Sequence, residues 1–362
     1  RFQLTKNVIA EIDNLKDEDV LNYIFHRYRY EIFPQKKIQD DYPPYLQIEP
    51  SSICNFRCVF CFETDNSFTN KKNGFMGKMK VELFKKIIDD ARGKIEFISL
   101  ASRGEPFVND KIEEMLKYTN GKFLGLKINT NASLLNEKKC HSILSGGVST
   151  IVFSADAADS ELYKKLRVNG SLEKVFKNIE MFNKIKEKHY KQIKIITRVS
   201  GVKFSNQQNI EDMVSFWGNL VDQVAFVDYN PWENSYEKKD NNITESCSDL
   251  WRRMFIWWDG KTNPCDVDYK SNLSVGSFVE KSISELKEVN GIVAYSLNQL
   301  PIDSLYRKKI LKKIILKKKS IHFALESIMI KNSNDIVKLE ELIYIIKIIP
   351  KCLKEINYGY RN

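Results

Sequence analysis

The chain has 362 residues, of which 43% are hydrophobic and 29% are charged, and its formal net charge is +10. This composition is that of an ordinary globular protein, and it excludes disordered, collagen-like and disulfide-dense chains. No apolar run reaches the roughly 18 residues that a membrane-spanning helix requires. No secretory signal pattern is visible either, so a cytoplasmic protein without a transmembrane segment is expected.

The first 230 residues predict helices followed by a parallel sheet. Residues 1–44 carry apolar side chains at helical spacing, such as Val8, Ile12 and Leu15, which predicts one or two helices docked onto the rest. From residue 45, strands and helices alternate, as parallel sheets require. The predicted strands are 45–49, 95–100, 124–130, 150–155, 193–199 and 223–228, and the predicted helices are 80–92, 109–119, 136–145, 171–188 and 208–218. Six strands are too few for an eight-stranded barrel, which leaves an open partial barrel or a doubly wound sheet.

The polar stretch 231–246 predicts a boundary after this core. The resulting division is a helical segment (1–44), an α/β core (45–230), a small Trp-rich unit (231–300) and a basic helical tail (301–362). Within the tail, Arg307 and seven lysines alternate with apolar residues along 307–319, so the charges are expected on the outer face of a helix. A solvated helix face is the first interpretation, and weak contact with an anionic membrane or nucleic acid is the second.

Three of the seven cysteines, Cys54, Cys58 and Cys61, directly follow the first predicted strand. The loops at this end of parallel strands are where open sheets and barrels place their chemistry. Three thiolates spaced CxxxCxxC can reach three corners of a cubane iron–sulfur cluster and leave its fourth iron free for another ligand. Zinc is the main alternative, but no local His or fourth Cys completes a site, and Glu63 and Asp65 are poor substitutes.

On these residues the sequence resembles the radical S-adenosylmethionine (radical SAM) superfamily, which carries CxxxCxxC after the first strand of a partial (β/α)6 TIM-like barrel. The resemblance implies that Cys54, Cys58 and Cys61 hold a 4Fe-4S cluster. It also implies that S-adenosyl-L-methionine binds the free iron and is cleaved to methionine and a 5'-deoxyadenosyl radical. An electron donor such as flavodoxin or ferredoxin is then expected.

Further motifs at the strand ends resemble elements of the same superfamily. The run from Ser102 to Pro106 looks like its GGEP element, which binds the methionyl amino group, although Arg103 replaces the first Gly. The segment Asn129 to Asn131 is similar to its TNG element with Ala132 in place of Gly, and Ser154 to Asp156 is similar to its SxDG element. The stretch Tyr163 to Arg167 looks like its Y-x-x-x-R element, whose Arg is expected to pair with the methionyl carboxylate; Arg198 is a second candidate for that role or for an anionic substrate. The cofactor-binding residues implied in this way are Phe60, Ser102, Gly104, Glu105, Asn129, Asn131, Ser154, Asp156, Arg167 and Arg198.

The segment Cys247 to Cys265 matches the opening half of the SPASM/twitch extension of this superfamily, with Asp259-Gly260 as the turn of a small β-hairpin. The later cysteines that complete auxiliary clusters in that extension are missing from the sequence, where only Cys352 follows. Cys247 and Cys265 therefore remain open as hydrogen-atom donors to a substrate radical, as ligands of a second cluster together with Asp266 or Asp268, or as structural residues. A metal-free lid over the substrate is the favoured interpretation of this extension.

The favoured function is hydrogen abstraction from a small polar metabolite, such as a sugar or a nucleotide-linked sugar, leading to epimerisation, dehydration or oxidation. The first alternative is a peptide or protein maturase, which SPASM relatives often are. The second is a nucleic-acid-modifying enzyme, although the basic helix lacks the interleaved aromatic residues on which bases stack. A non-enzymatic iron or zinc scaffold is the alternative from a different class.

Overall fold

The computed structural model describes residues 4–231, 235–236, 246–287, 291–294, 297, 300–316, 319–323 and 328–358. The chain divides into two compact units, residues 1–287 and 288–362. The division falls ahead of the predicted boundary at 300/301. The reason is that residues 283–287 pack against the core helix 81–91, whereas residues 291–294 pair with a strand at 320–323.

The first unit contains eleven α-helices and eleven strands among its described residues. Its helices are α1 (Lys6–Asn14), α2 (Val20–Lys36), α3 (Asn66–Thr69), α4 (Val81–Ala91), α5 (Ile112–Thr119), α6 (Glu137–Ser145), α7 (Ser160–Leu166), α8 (Leu172–His189), α9 (Ile210–Gly218), α10 (Asp249–Arg252) and α11 (Ile283–Lys287). Its strands are β1 (Tyr45–Ile48), β2 (Arg57–Cys58), β3 (Phe97–Leu100), β4 (Gly125–Thr130), β5 (Thr150–Ser154), β6 (Arg167–Val168), β7 (Ile196–Lys203), β8 (Gln223–Asp228), β9 (Arg253–Ile256), β10 (Lys261–Asn263) and β11 (Gly276–Ser277).

The main sheet has the order β11-β10-β9-β1-β3-β4-β5-β7-β8. From β1 to β8 the strands are parallel and follow the chain without reversing, which is the winding of a barrel and not of a doubly wound sheet. The predicted partial barrel with six strands is therefore confirmed. The extension adds to it, because β9 pairs in parallel with β1 and forms a hairpin with β10.

Side chains alternate in chemistry along the barrel strands. The residues that point to the helices are apolar and fully buried, as Leu46, Ile98 and Ile128 are. Their neighbours Gln47, Ser99, Lys127 and Asn129 line the lumen instead. A barrel of this kind buries its hydrophobic core between sheet and helices and keeps a polar interior.

The N-terminal helices pack onto the barrel at the end where its strands begin. The guanidinium of Arg29 on α2 is buried and donates to Asp40 at 2.7 Å, to Glu96 just before β3, and to the carbonyl of Tyr42 at 2.8 Å. These bonds fix α2 to the barrel because a buried guanidinium needs its donors satisfied.

The second unit contains α12 (Ser304–Leu316), α13 (Ser333–Tyr358) and a sheet of the order β12 (Gly291–Ala294), β13 (Ser320–Phe323) and β14 (Ile328–Ile330). The prediction of a helical tail was thus incomplete: Ile321 and Phe323 alternate with half-buried residues and pack on one face of the sheet. Arg307, predicted on the outer face of its helix, is buried and donates to Glu340 at 2.7 Å. Among the described residues, no helix combines the length and the apolarity that crossing a membrane requires.

Candidate active site

The three clustered cysteines lie in the loop that leaves β1, at the carboxyl end of the barrel strands. This loop is held by β2, which pairs with β6 and sets Cys58 opposite Arg167. A cavity of about 310 Å³ opens beside Cys54, Cys58 and Cys61 and continues into the barrel lumen. The loop and the lumen therefore form one site.

The thiols are enclosed and have hydrogen-bond donors near their sulfur atoms. Burial raises the pKa of the Cys54 thiol to about 12 and also raises the pKa of Cys58 and Cys61. The backbone N–H of Phe56 donates to Cys54 Sγ at 3.4 Å, and Arg167 Nη1 lies 3.8 Å from Cys58 Sγ. Buried thiolates need a neighbouring cation, which a metal cluster provides. The donor set therefore fits an iron–sulfur cluster.

Three polar atoms on the cavity wall have no protein partner within the described part of the chain, and Ser99 Oγ is one of them. Ser102 Oγ and Asn129 Oδ1 are buried without a hydrogen-bond partner among the described residues. Ser154 and Phe60 lie on the same wall, and the Phe60 ring packs against Phe204. Unpaired buried polar atoms are costly unless a ligand satisfies them, so this wall fits S-adenosylmethionine or another polar ligand.

The Glu105 carboxylate accepts hydrogen bonds from groups of the protein itself. The donors are Thr130 Oγ1 and the backbone N–H of Asn131, both at 2.7 Å, and Phe107 N at 3.2 Å. These bonds tie the loop after β3 to the end of β4. We therefore propose that the Glu105 carboxylate braces the site and that a ligand contacts the backbone nearby.

Two small residues reflect close packing in these loops. A Cβ on Gly104 would lie 2.5 Å from the carbonyl oxygen of Ser51, so the glycine lets the GEP loop contact the segment that leads to Cys54. Ala132 is buried and has φ 59°, in the left-handed region. This backbone conformation explains why glycine is commoner at the corresponding position of the TNG element. The Asn131 amide next to it donates to Asn55 at 3.0 Å and lies 3.9 Å from Cys54 Sγ.

Asp156 and Arg167 form a buried ion pair beside the cysteine loop. Arg167 Nε donates to Asp156 Oδ2, and Asp156 Oδ1 also accepts from the backbone N–H of Val202 at 2.6 Å. The pair holds the guanidinium between Cys58 and the Phe60 ring, whose centroid is 5.9 Å away. Both residues therefore belong to the site, with Asp156 fixing Arg167.

The structure does not bring Arg198 to the cysteines. Arg198 lies in a second cavity, of about 270 Å³, at the end where the barrel strands begin, and its Nε donates to Gln223 at 2.9 Å. This position does not support pairing of Arg198 with the methionyl carboxylate, and its alternative role toward an anionic substrate stays a prediction. Its side chain does point into the barrel, but it is near the start of a long strand, and alternation does not tell at which end a residue lies.

Cys247 and Cys265 lie near each other but differ in exposure. Cys247 is exposed and Cys265 is partly buried. Burial raises the pKa of the Cys265 thiol to about 11, with smaller contributions from Asp266 and Cys247. Asp266 lines the cavity of the cysteine loop, whereas the Asp268 carboxylate accepts from Tyr236 OH at 2.6 Å and from two backbone N–H groups. Whether the two thiols donate hydrogen atoms or bind metal stays a prediction.

Lys127 and Arg253 were missed by sequence reasoning and line the lumen. Burial, with Arg198 and Arg253 nearby, lowers the pKa of Lys127 to about 8. The Arg253 guanidinium lies over the Tyr45 ring at 5.3 Å and donates to Tyr30 OH at 2.9 Å. The available signal was a charged residue between apolar neighbours in a parallel strand, as in Leu126-Lys127-Ile128, because such strands are usually apolar throughout.

Comparison with known families identifies two regions. The family model described as the Radical SAM superfamily matches residues 48–216, and the SPASM model, described as an iron-sulfur cluster-binding domain, matches residues 247–295. A GTP 3',8-cyclase of Clostridium botulinum (strain Okra) is 27% identical over 220 residues, which are 57% of this chain and 64% of that protein. A tungsten-containing aldehyde ferredoxin oxidoreductase cofactor-modifying protein of Pyrococcus furiosus is 32% identical over 114 residues, 31% of this chain and 30% of that protein. The chain thus spans less than two thirds of either relative.

Similar solved structures show the same fold. Streptococcus suis SuiB bound to the precursor peptide SuiA has 20% identity and a TM-score of 0.54, over 75% of this chain and 69% of SuiB. The protein anSMEcpe with bound AdoMet has 15% identity and a TM-score of 0.52, over 67% of this chain and 80% of that one. At these identities the likeness concerns the fold alone.

Proposed function

Because the chain belongs to the radical SAM superfamily and carries a SPASM domain, we propose that this enzyme abstracts a hydrogen atom from a small polar metabolite in the barrel lumen. A sugar or a nucleotide-linked sugar is the substrate class that we favour. Epimerisation, dehydration or oxidation of that substrate would follow.

The residues of this chain divide into two groups around the lumen. Cys54, Cys58 and Cys61 would hold the 4Fe-4S cluster, and Ser102 and Asn129 would offer hydrogen bonds to S-adenosylmethionine. When bound, the cluster and S-adenosylmethionine supply the 5'-deoxyadenosyl radical. The protein contributes by holding one C–H bond of the substrate in position and by excluding water and other hydrogen donors.

The observation that carries this proposal is the polar lumen beneath the cysteine loop. The cavity reaches from Cys58 past Asn129 and Ser99 to Gln47 and Lys127, and these side chains offer donors and acceptors on several sides. A compact, hydroxyl-rich molecule suits such a wall better than an apolar one.

One relative supports the same substrate class. The cyclase relative is named for GTP, a phosphorylated nucleoside, and a nucleotide-linked sugar shares those groups. The maturase alternative is supported by the similarity to SuiB, which was solved with a bound precursor peptide. That similarity, however, concerns the fold alone. In this chain α1 and α2 line the cavity at the far end of the barrel from the cysteines, where they do not offer a peptide groove to the cluster loop.

The proposed partners follow from the chemistry. An electron donor such as flavodoxin or ferredoxin would reduce the cluster. The basic helix α12 is the proposed contact with an anionic surface. Because Arg307 is buried and pairs with Glu340, this contact would be made by exposed lysines of the helix such as Lys309 and Lys312.

The test is formation of 5'-deoxyadenosine by the anaerobically reconstituted enzyme with dithionite and a defined panel of compounds. The panel would contain free sugars, sugar phosphates, nucleotide-linked sugars and synthetic peptides, and the Cys54/Cys58/Cys61→Ala variant is the control. We expect stimulation by a small metabolite and transfer of deuterium from its labelled form into 5'-deoxyadenosine. Stimulation by peptides alone would overturn the proposal in favour of a maturase.

A further inference from the structure

Two cavities meet inside the barrel and share part of their walls. The cavity below the cysteine loop and the cavity under α1 and α2 are both lined by Tyr45, Lys127 and Arg253. These residues come from β1, β4 and β9, and they form a layer across the lumen. This layer is the floor of the cavity that contains the cysteines.

Most of the other charged groups on the wall of the cavity below the cysteine loop have protein partners. Arg103 is paired with Glu49 and Arg167 with Asp156, and the Glu105 carboxylate accepts three internal hydrogen bonds. Asp266 is the remaining acid of this wall; burial raises its pKa, and the nearby Arg253 lowers it. The groups with internal partners therefore do not neutralise the floor, and among the described residues Asp266 is the one acid of this wall that acts on Arg253.

The two cations of the floor, Lys127 and Arg253, differ in their interaction partners. Within the described parts of the chain, the Lys127 ammonium has neither a hydrogen-bond nor an ion-pair partner, and the charges that act on it are the cations Arg198 and Arg253 and the carboxylate of Glu11. Arg253 has Asp249 at 3.8 Å, outside the usual hydrogen-bonding distance, and Tyr30 OH at 2.9 Å. Glu11 lines the cavity under α1 and α2, and its carboxylate accepts hydrogen bonds from Tyr23 OH at 2.6 Å and from Asn7 Nδ2 at 3.2 Å.

We infer that Lys127 and Arg253 bind an anionic group of the substrate, a phosphate or a carboxylate, at the floor of the lumen. The inference rests on the proposed function and narrows its substrate class to anionic metabolites such as sugar phosphates, nucleotide-linked sugars or sugar acids. An ammonium in a low-dielectric interior is costly when it has no counterion. An anion between the two side chains removes that cost and gains charge-assisted hydrogen bonds.

The lowered pKa of Lys127 agrees with this geometry. A bound anion stabilises the protonated ammonium, so binding should raise that pKa again. The position of the layer also suits the reaction, because an anchor at the floor leaves the rest of the substrate extending toward the cysteine loop.

The first experiment measures inorganic phosphate binding by isothermal titration calorimetry, on reconstituted enzyme without S-adenosylmethionine and at constant ionic strength. Variants Lys127→Met and Lys127→Gln are compared with wild type and with Lys138→Met, which removes an exposed lysine paired with Glu113. We expect the phosphate affinity to fall at least roughly tenfold in both Lys127 variants and to be unchanged in Lys138→Met. Equal affinity in all four proteins, or equal loss in Lys138→Met, would overturn the inference; the melting temperature of each variant shows that it is folded.

A second pair of measurements separates the possible sources of the anion. If Lys127→Met loses affinity for S-adenosylmethionine by the same factor as for phosphate, the floor serves the methionyl carboxylate and the inference fails. If a neutral sugar stimulates wild-type 5'-deoxyadenosine formation more than its phosphate does, the inference fails while the proposed function stands. If phosphate binding depends on Lys127 but only peptides stimulate the reaction, the proposed function fails, and the anion site is then independent of it.

Discussion

The Arg103 guanidinium and the Glu49 carboxylate form a buried, bidentate ion pair, with Arg103 Nε 2.7 Å from Glu49 Oε1. Arg103 Nη1 also donates to the carbonyl of Tyr269 at 2.7 Å, and the guanidinium lies 4.4 Å from the centre of the Trp257 ring. Glu49 in turn accepts from the backbone N–H of Trp258 at 3.1 Å. The residue that departs from the GGEP motif therefore joins the barrel to the SPASM hairpin.

We predict that Arg103→Gly destabilises the enzyme although it restores the motif of the superfamily. The substitution leaves Glu49 buried without its partner, which typically costs about 3–5 kcal/mol. Urea denaturation of the cluster-free protein measures this loss, and limited proteolysis is expected to cut first in the extension.

The double variant Arg103→Met/Glu49→Leu is the control for that experiment. Because both charges are then removed together, it should be more stable than Arg103→Gly. An Arg103→Gly variant as stable as wild type would show that the ion pair does not hold the extension in place.

Iron and sulfide content tests the assignment of the cysteines. We predict about four iron atoms per chain after anaerobic reconstitution, and none in the Cys54/Cys58/Cys61→Ala variant. About eight iron atoms in wild type, with four surviving in the variant, would show instead that Cys247 and Cys265 participate in a second cluster. A Cys140→Ala variant is the matched control, because that thiol is buried on α6.

Arg167 is expected to set the reduction potential of the cluster. Its guanidinium lies 3.8 Å from Cys58 Sγ, and a nearby cation stabilises the more negative, reduced cluster. Arg167→Met should therefore lower the potential, on the order of 50–100 mV, as measured by a redox titration followed by EPR. Two variants serve as controls: Arg167→Lys keeps the charge, and Lys165→Met removes an exposed charge. Both should have a reduction potential near that of wild type. A shifted potential in Lys165→Met would indicate a long-range effect of charge.

Lys127 should cost stability as long as it is charged. Its pKa is lowered from 10.5 to about 8 in the folded chain, so below pH 8 both states carry the proton and the folded state bears the full cost. Lys127→Met should raise the free energy of unfolding by up to about 3 kcal/mol at pH 7. This gain should fade between pH 8 and 10.5, where the folded lysine is already neutral.

The same titration should appear in kinetics once an anionic substrate is known. As pH rises through about 8, Lys127 loses its charge and KM for that substrate should increase; the charged groups that act on Lys127 are Arg198, Arg253 and Glu11. In Lys127→Met the rise of KM should be absent. A wild-type KM independent of pH over this range would contradict an ionic role for Lys127.

Local patterns in the sequence were sufficient for the fold and for the cluster loop. The alternation of apolar strands and amphipathic helices predicted all six barrel strands, since each pattern depends on neighbouring residues. The spacing of Cys54, Cys58 and Cys61 determines a tight loop after β1 in the same way. The helical tail was incompletely predicted because β13 and β14 are short and are stabilised by pairing with each other and with β12.

Only the tertiary structure decided which residues from distant parts of the chain share the lumen. It also decided where along the barrel axis each of these side chains lies. Lys127 and Arg253 come together because β9 joins the sheet beside β1, while Arg198 lines only the cavity under α1 and α2 and not the one that contains the cysteines. The sequence determines that these side chains are polar and lie on strands. Register, strand order and the tilt of the barrel decide where they meet, because these depend on contacts between segments far apart in the chain.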